Sequence, residues 1–215
     1  MTIPSTVEER ITRYVVAIAG SVGGGKSTLV DGLRVRLSDA NVIRFDHYER
    51  VTLQSIESVK RWRDCGADLD ELVVAQLPDD LQALKLGHSV IDPMTNEIIP
   101  SSKYILFECQ FGREHTATGQ HIDFLIWIDT PLDLALARKV RQFLTGLDRT
   151  PSRQEIDEFA PWLQSYLDNY LDVVGGLLRM QREVVGASAD MTIDGTKTPN
   201  DILNLAEREI RARLQ

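Results

Sequence analysis

The sequence has no uninterrupted apolar run of the ~18 residues that a helical membrane span requires. Its two cysteines, Cys65 and Cys109, have no CxxC spacing, and its four histidines have no metal-ligand spacing. Both cysteines are therefore expected to be free thiols, and neither a disulfide framework nor a structural zinc site organises the chain. No repeat of roughly 20 to 50 residues, low-complexity tract or Gly/Ser linker divides it, so the expectation is a single domain over 1–215. Positive charge is scarce too. The 24 lysines and arginines stand against 32 acids and leave a net charge of −8, a poor match for nucleic-acid phosphates or anionic lipid. The opening MTIPSTVEERITR is polar and carries acids, unlike a leader peptide. These absences point to a cytoplasmic protein that acts on a small molecule, without a nucleic-acid or membrane partner; a homo-oligomer stays open.

What is present is an alternation of short apolar runs with helical stretches. The segments 14–19 (YVVAIA), 41–45 (NVIRF), 104–107 (YILF), 124–128 (FLIWI) and 191–193 (MTI) read as strands, most of them apolar on both faces. Helical patterns occupy 27–37, 132–144 and 199–214. Strands buried on both faces and separated by helices predict an α/β fold, a doubly wound parallel sheet. In such sheets ligands sit beyond the carboxyl ends of the strands. The informative residues are then 20–28, 46–48, 108–112, 129–131 and 194–195. Three arginines between 138 and 150 suggest a helical lid within 138–160, followed by a long helix in which acids alternate with Trp162, Tyr166 and Tyr170; that aromatic stripe at helical spacing reads as core packing rather than a ligand platform.

The run Gly20, Ser21, Val22, Gly23, Gly24, Gly25, Lys26, Ser27, Thr28 satisfies G-x-x-x-x-G-K-[ST] between a strand and a helix. Glycines let the backbone wrap a phosphate closely, so that its amides point inward. The helix that follows adds its positive end, Lys26 a point charge for the β and γ phosphates, and Ser27 a hydroxyl for magnesium. Thr28 is placed to contact the α-phosphate. No Asn-Lys-x-Asp guanine element follows, which favours ATP over GTP. The hydrophobic run ending in Asp-Glu that ATPase motors carry is missing as well.

Phosphoryl transfer demands positioning and charge neutralisation, so carboxylates and arginines at the strand ends are the candidates. Asp46 could accept the proton of an acceptor hydroxyl or hold a magnesium-bound water, or else cap a helix. Glu108 could complete the magnesium shell with Ser27, or else serve as a cap or one half of a buried pair. Arg138 and Arg141, three apart on one helix face, could reach the phosphates when a lid closes, or could form a solvated basic face.

Taken together, GSVGGGKST, FDHYE, PDDLQALKLGHSVIDP, YILFECQFG and DLALARKVRQF resemble, in this order, the uridine kinase and phosphoribulokinase branch of the P-loop kinases. The resemblance spans most of the chain. It implies a P-loop NTPase fold of the nucleoside and nucleotide kinase type and a kinase activity using ATP and Mg2+. It further implies Asp46 as catalytic base, Glu108 as metal or acceptor contact, and Arg138 and Arg141 as lid residues. Cys109 stands where the family has glycine. No His-Pro-Asp-like element lies between Tyr48 and Pro78, and Pro93-Met94-Thr95-Asn96 replaces Pro-x-Tyr-Asp, so the acceptor is open. Arg61, Arg63, Asp64, Asp68 and Asp70 could build a polar acceptor pocket or form a solvated helix face. A nucleoside monophosphate kinase-like enzyme would need Arg61, Arg63 or Arg113 for a phosphate-bearing acceptor. A non-catalytic ATP-binding regulatory module is the alternative from another class.

Overall fold

The computed structural model describes residues 12–49, 55–147 and 152–214. The start of the N-terminal stretch and residues 148–151 of the expected lid lie outside the described residues. Five parallel strands form the central sheet: β1 (Tyr14–Gly20), β2 (Ala40–Arg44), β5 (Tyr104–Glu108), β6 (Phe124–Asp129) and β7 (Met191–Asp194), in the spatial order β2-β5-β1-β6-β7. A two-stranded antiparallel hairpin, β3 (Val90–Ile91) with β4 (Ile98–Ile99), stands apart. The predicted doubly wound parallel sheet is what forms.

Alternate residues of β1 supply two cores. Val15, Ala17 and Ala19 pack with Phe45, Leu81, Phe107 and Val185, whereas Val16 and Ile18 pack with Leu29, Leu33, Ile202 and Ile210. The second core lies under α1 (Lys26–Arg36) and α8 (Pro199–Arg213). The first lies under α3 (Leu77–Leu86) and α7 (Gly175–Ala187). Because a strand sends successive side chains to opposite faces, a strand apolar throughout needs helices on both sides, and here it has them.

Two short helices, α2 (Ile56–Asp64) and α4 (Thr116–Gly119), flank the first face. The sequence reading extended β2 through Phe45. The strand instead ends at Arg44, and Phe45–His47 form a single 3₁₀ turn. Phe45 turns into the core, edge-on to Phe111 at 5.5 Å and to His115 at 5.6 Å, and that inward turn leaves Asp46 exposed at the sheet's carboxyl edge.

Following β6, α5 (Leu132–Thr145) precedes α6 (Arg153–Asn169), which starts from a Ser152–Glu155 capping box. A π-helical segment, Tyr170–Val174, carries α6 into α7. The aromatic stripe does not enter the core: no α6 residue is buried, and Trp162 is 47% exposed. Trp162 and Tyr166 pack edge-on against Phe143 of α5 at 4.8 and 5.0 Å. Helical periodicity identified a packed face but not its partner, which is Phe143 of the neighbouring α5.

Candidate active site

Parallel register sets the site. Ile18 of β1 and Arg44 of β2 both pair with Glu108 of β5, so Glu108 ends its strand between the chain entering the P-loop and the chain entering the Asp46 turn. No side chain caps the start of α1, whose N-cap is Gly25 at φ 103°. Its first N–H groups are thus available to an anion. At Gly23, φ is 76° and a Cβ would lie 2.2 Å from the Ala135 carbonyl oxygen, so only glycine lets the loop close against α5. At Gly25 the same test meets open space.

Within this loop the Lys26 Nζ donates to the Gly20 and Ser21 carbonyls at 3.0 and 3.2 Å. Burial holds its ammonium pKa below the usual lysine range, Asp46 opposes that shift, and Lys139 adds to it. Thr130, buried just beyond β6, donates its Oγ1 hydrogen to the Gly24 carbonyl at 3.0 Å and ties the loop to the sheet. The Ser21 hydroxyl is buried with no partner among the described residues.

Ser27 Oγ donates to Glu108 Oε1 at 2.6 Å. The other oxygen of Glu108 receives Arg44, which also pairs with Asp31 at 2.7 Å. Gln110 Nε2 donates to Asp46 Oδ1 at 2.5 Å, which fixes one carboxylate oxygen. His47 pairs through Nδ1 with Asp92 at 2.6 Å. Despite burial, Asp92 sits below the usual carboxylate range because His47 and the Thr95 and Met94 amides bond it. Ser27, Arg44, Asp46, His47 and Glu108 line one cavity of about 320 Å3.

The cavity suits a magnesium nucleotide. Hard oxygen donors from Ser27 and Glu108 match Mg2+, which takes one or two protein ligands and fills its shell with phosphate oxygens and water. The loop amides, Lys26 and the open space at Gly25 match a polyphosphate. Among the described residues no set of three His, Cys, Asp or Glu side chains could hold a metal by itself.

The structure brings Lys26, Ser27, Asp46 and Glu108 together. Asp46 caps no helix among the described residues, and Glu108 serves both Ser27 and an ion pair with Arg44. Arg138 donates to the Gly195 carbonyl at 3.1 Å, while Arg141 is exposed on α5 and Thr28 is exposed on α1. Lys139, missed in the sequence, is the α5 cation beside the loop; its Cβ would lie 3.3 Å from a Cβ at Gly23.

Several polar residues considered for the acceptor are committed to structure. Arg61 bonds Ser58, Arg63 bonds Asp64 and the Asp172 carbonyl, and Arg113 bonds Asp190 and the Ser188 carbonyl. Asp68 accepts from the Asp70 amide, and Asp70 accepts from the amide and hydroxyl of Thr116. Asp129, at another strand end, is held by Arg182 of α7 at 2.6 and 2.8 Å. Both cysteines are free, and burial pushes the Cys109 thiol up to about 12, so it stays neutral beneath the loop.

A parallel sheet whose first strand runs into this loop, with acids at the neighbouring strand ends, defines a P-loop α/β phosphate-binding protein. No family model matches the chain. Over 146 residues it is 30% identical to a uridine kinase of Erwinia tasmaniensis, covering 60% of this chain and 67% of that one. A uridine kinase of Salmonella typhimurium is 28% identical over the same shares. Among solved structures, a "possible uridine kinase" of Bacillus stearothermophilus superposes with TM-score 0.53 at 16% identity, covering 85% of this chain and 89% of that one. A sugar kinase of Janibacter sp. gives 0.51 at 12%, covering 94% and 96%. The chain belongs to the uridine kinase-like P-loop kinases.

Proposed function

We propose that this kinase transfers the γ-phosphate of ATP, with Mg2+, to a hydroxyl of a small acceptor. The observation that supports it is the single cavity in which Ser27, Asp46 and Glu108 converge beside Lys26. When bound, Mg2+ would supply positive charge for the phosphates. Ser27 and Glu108 would hold it, and Lys26 would leave its loop carbonyls for the phosphates. Asp46, aligned by Gln110, takes the acceptor's hydroxyl proton as the acceptor oxygen forms its bond to Pγ and the bridging oxygen departs with ADP. Arg138 and Arg141 would meet the phosphates through a movement of α5. A monophosphate kinase-like activity has less support, because Arg61, Arg63 and Arg113 are engaged elsewhere. A cytoplasmic setting, with no membrane or nucleic-acid partner, belongs to the same proposal.

The test is Mg2+-dependent ADP release across a panel of hydroxyl-bearing metabolites. Acceptor-stimulated release that Lys26→Ala abolishes, and that Asp46→Asn lowers while ATP still binds, supports the assignment. ATP binding without release across the whole panel would show a regulatory module instead.

A further inference from the structure

A second, larger cavity of about 480 Å3 opens between α2, the Gln110–Glu114 segment and α7. Its wall is largely hydrocarbon and aromatic, with Val22, Val59, Trp62, Phe111, Leu177 and Val184 among its residues. The two cavities are connected by chemistry as well as by position. Val22 belongs to the phosphate loop, and Gln110, which lines the apolar cavity, reaches out to Asp46. Charged lining among the described residues is confined to two acids, Glu49 and Glu114.

One polar group in this wall is unsatisfied. Gln181 is 6% exposed; its Nε2 donates to the Gln110 carbonyl, which fixes the orientation of the amide, and its Oε1 has no partner among the described residues. A buried carbonyl without a donor is costly, and because its oxygen is closed to water here, a ligand N–H or O–H would relieve it once the Gln181 side chain turns toward the cavity. The polar residues of 61–70 face other structural partners, whereas Val59, Trp62, Ala67 and Leu69 turn to this cavity.

We propose that this cavity takes the acceptor, and that the acceptor is an uncharged alcohol with a mainly apolar or aromatic body. It carries a hydrogen-bond donor for Gln181 Oε1 and a hydroxyl that extends past Gln110 to Asp46. The acceptor role rests on the phosphotransferase reading above; the ligand class rests on the cavity alone. A phosphate-bearing acceptor would bury its negative charge in an apolar wall beside Glu114, and a sugar would surrender its hydration to a wall that cannot replace it.

The experiment separates the two readings by measuring binding without ATP and transfer with it. N-acetylphenylalaninol, phenylpropanol, uridine, uridine monophosphate and glucose are titrated calorimetrically, then assayed for ADP release. The aromatic alcohols should bind in preference to the other three. N-acetylphenylalaninol, which carries an N–H, should exceed phenylpropanol by roughly 3- to 10-fold, and Gln181→Leu should erase that difference. Val184→Asp, at a 44% exposed position, should weaken both aromatic alcohols roughly 10-fold and leave ATP affinity unchanged. Preference for uridine, glucose or the monophosphate, or an unchanged affinity in Val184→Asp, overturns the ligand class while leaving kinase chemistry intact. Tight binding of the aromatic alcohols with no ADP release from any compound would support the ligand class and sink the phosphotransferase reading.

Discussion

Replacing Gly195 by alanine probes how the sheet holds the phosphate loop. A Cβ there would lie 1.9 Å from Thr130 Oγ1 and 2.9 Å from Thr130 Cβ. Thr130 Oγ1 is also the donor to the Gly24 carbonyl. Gly195→Ala must therefore displace the hydroxyl that secures the loop. Overpacking of this kind costs about 1–3 kcal/mol, and orphaning the buried carbonyl costs about 1–3 kcal/mol more. For a chain of this size each kcal/mol lowers Tm by roughly 2–4 °C. Thr130→Ala alone loses only the hydrogen bond. In the double variant the contact with Oγ1 is gone and the bond is already lost, so the second substitution adds only the overpacking against the Cβ of residue 130, which remains at 2.9 Å. The double variant should then melt below Thr130→Ala but above the sum of the two single losses, with a coupling of about 1–3 kcal/mol in the cycle. Calorimetric or fluorescence melting of the four proteins measures it. Additive losses in the double variant would refute the claim that these residues act through one contact.

Three further outcomes follow from individual contacts. Gln110→Leu removes the hydrogen bond that orients Asp46, so kcat should fall roughly 10-fold or more while the KM for ATP holds; steady-state kinetics with both substrates reads this directly. Glu108→Gln weakens the oxygen pair with Ser27 and should raise the Mg2+ concentration for half-maximal rate by roughly 10-fold, measured by magnesium titration of turnover. Burial holds Asp80 above its ordinary value of 3.8, although Tyr48 and Gln76 hydrogen-bond it. Ionisation of Asp80 therefore costs stability as pH rises through the folded-state value, and the native state regains it on acidification. Asp80→Asn, which still accepts from Tyr48, should raise Tm at neutral pH; the gain should vanish below the ordinary carboxylate value. Equal gains at both pH values would show that charge burial is not the cause.

Much of the site was legible because phosphate binding is a local property. A strand, a glycine-rich turn and a helix start occupy consecutive residues, so 20–28 could be assigned from their order and side-chain types. Glu108 and Asp46 were found because a parallel sheet aligns its strand ends, and Phe45 turning inward displaced the end of β2 by a single residue. Arg44, Gln110 and Gln181 carried no comparable signal. Each acts through a partner distant in the chain: Arg44 on Glu108, Gln110 on Asp46, and Gln181 on the Gln110 carbonyl.

By itself, then, the sequence determined the parallel sheet and the glycine-rich loop between β1 and α1, with Lys26 and Ser27 at its end, because periodicity and short-range geometry suffice for these. Only the tertiary structure decided what surrounds them. It assigned Arg61, Arg63, Arg113, Asp68 and Asp70 to structural contacts, placed Lys139 beside the loop and Arg138 at Gly195, and turned Val59 and Trp62 to a cavity with α7. Those outcomes depend on which helix faces which. Apart from the local Arg61–Ser58, Arg63–Asp64 and Asp68–Asp70 bonds, that is settled by the burial of side chains from segments distant in the chain, and no local pattern encodes it.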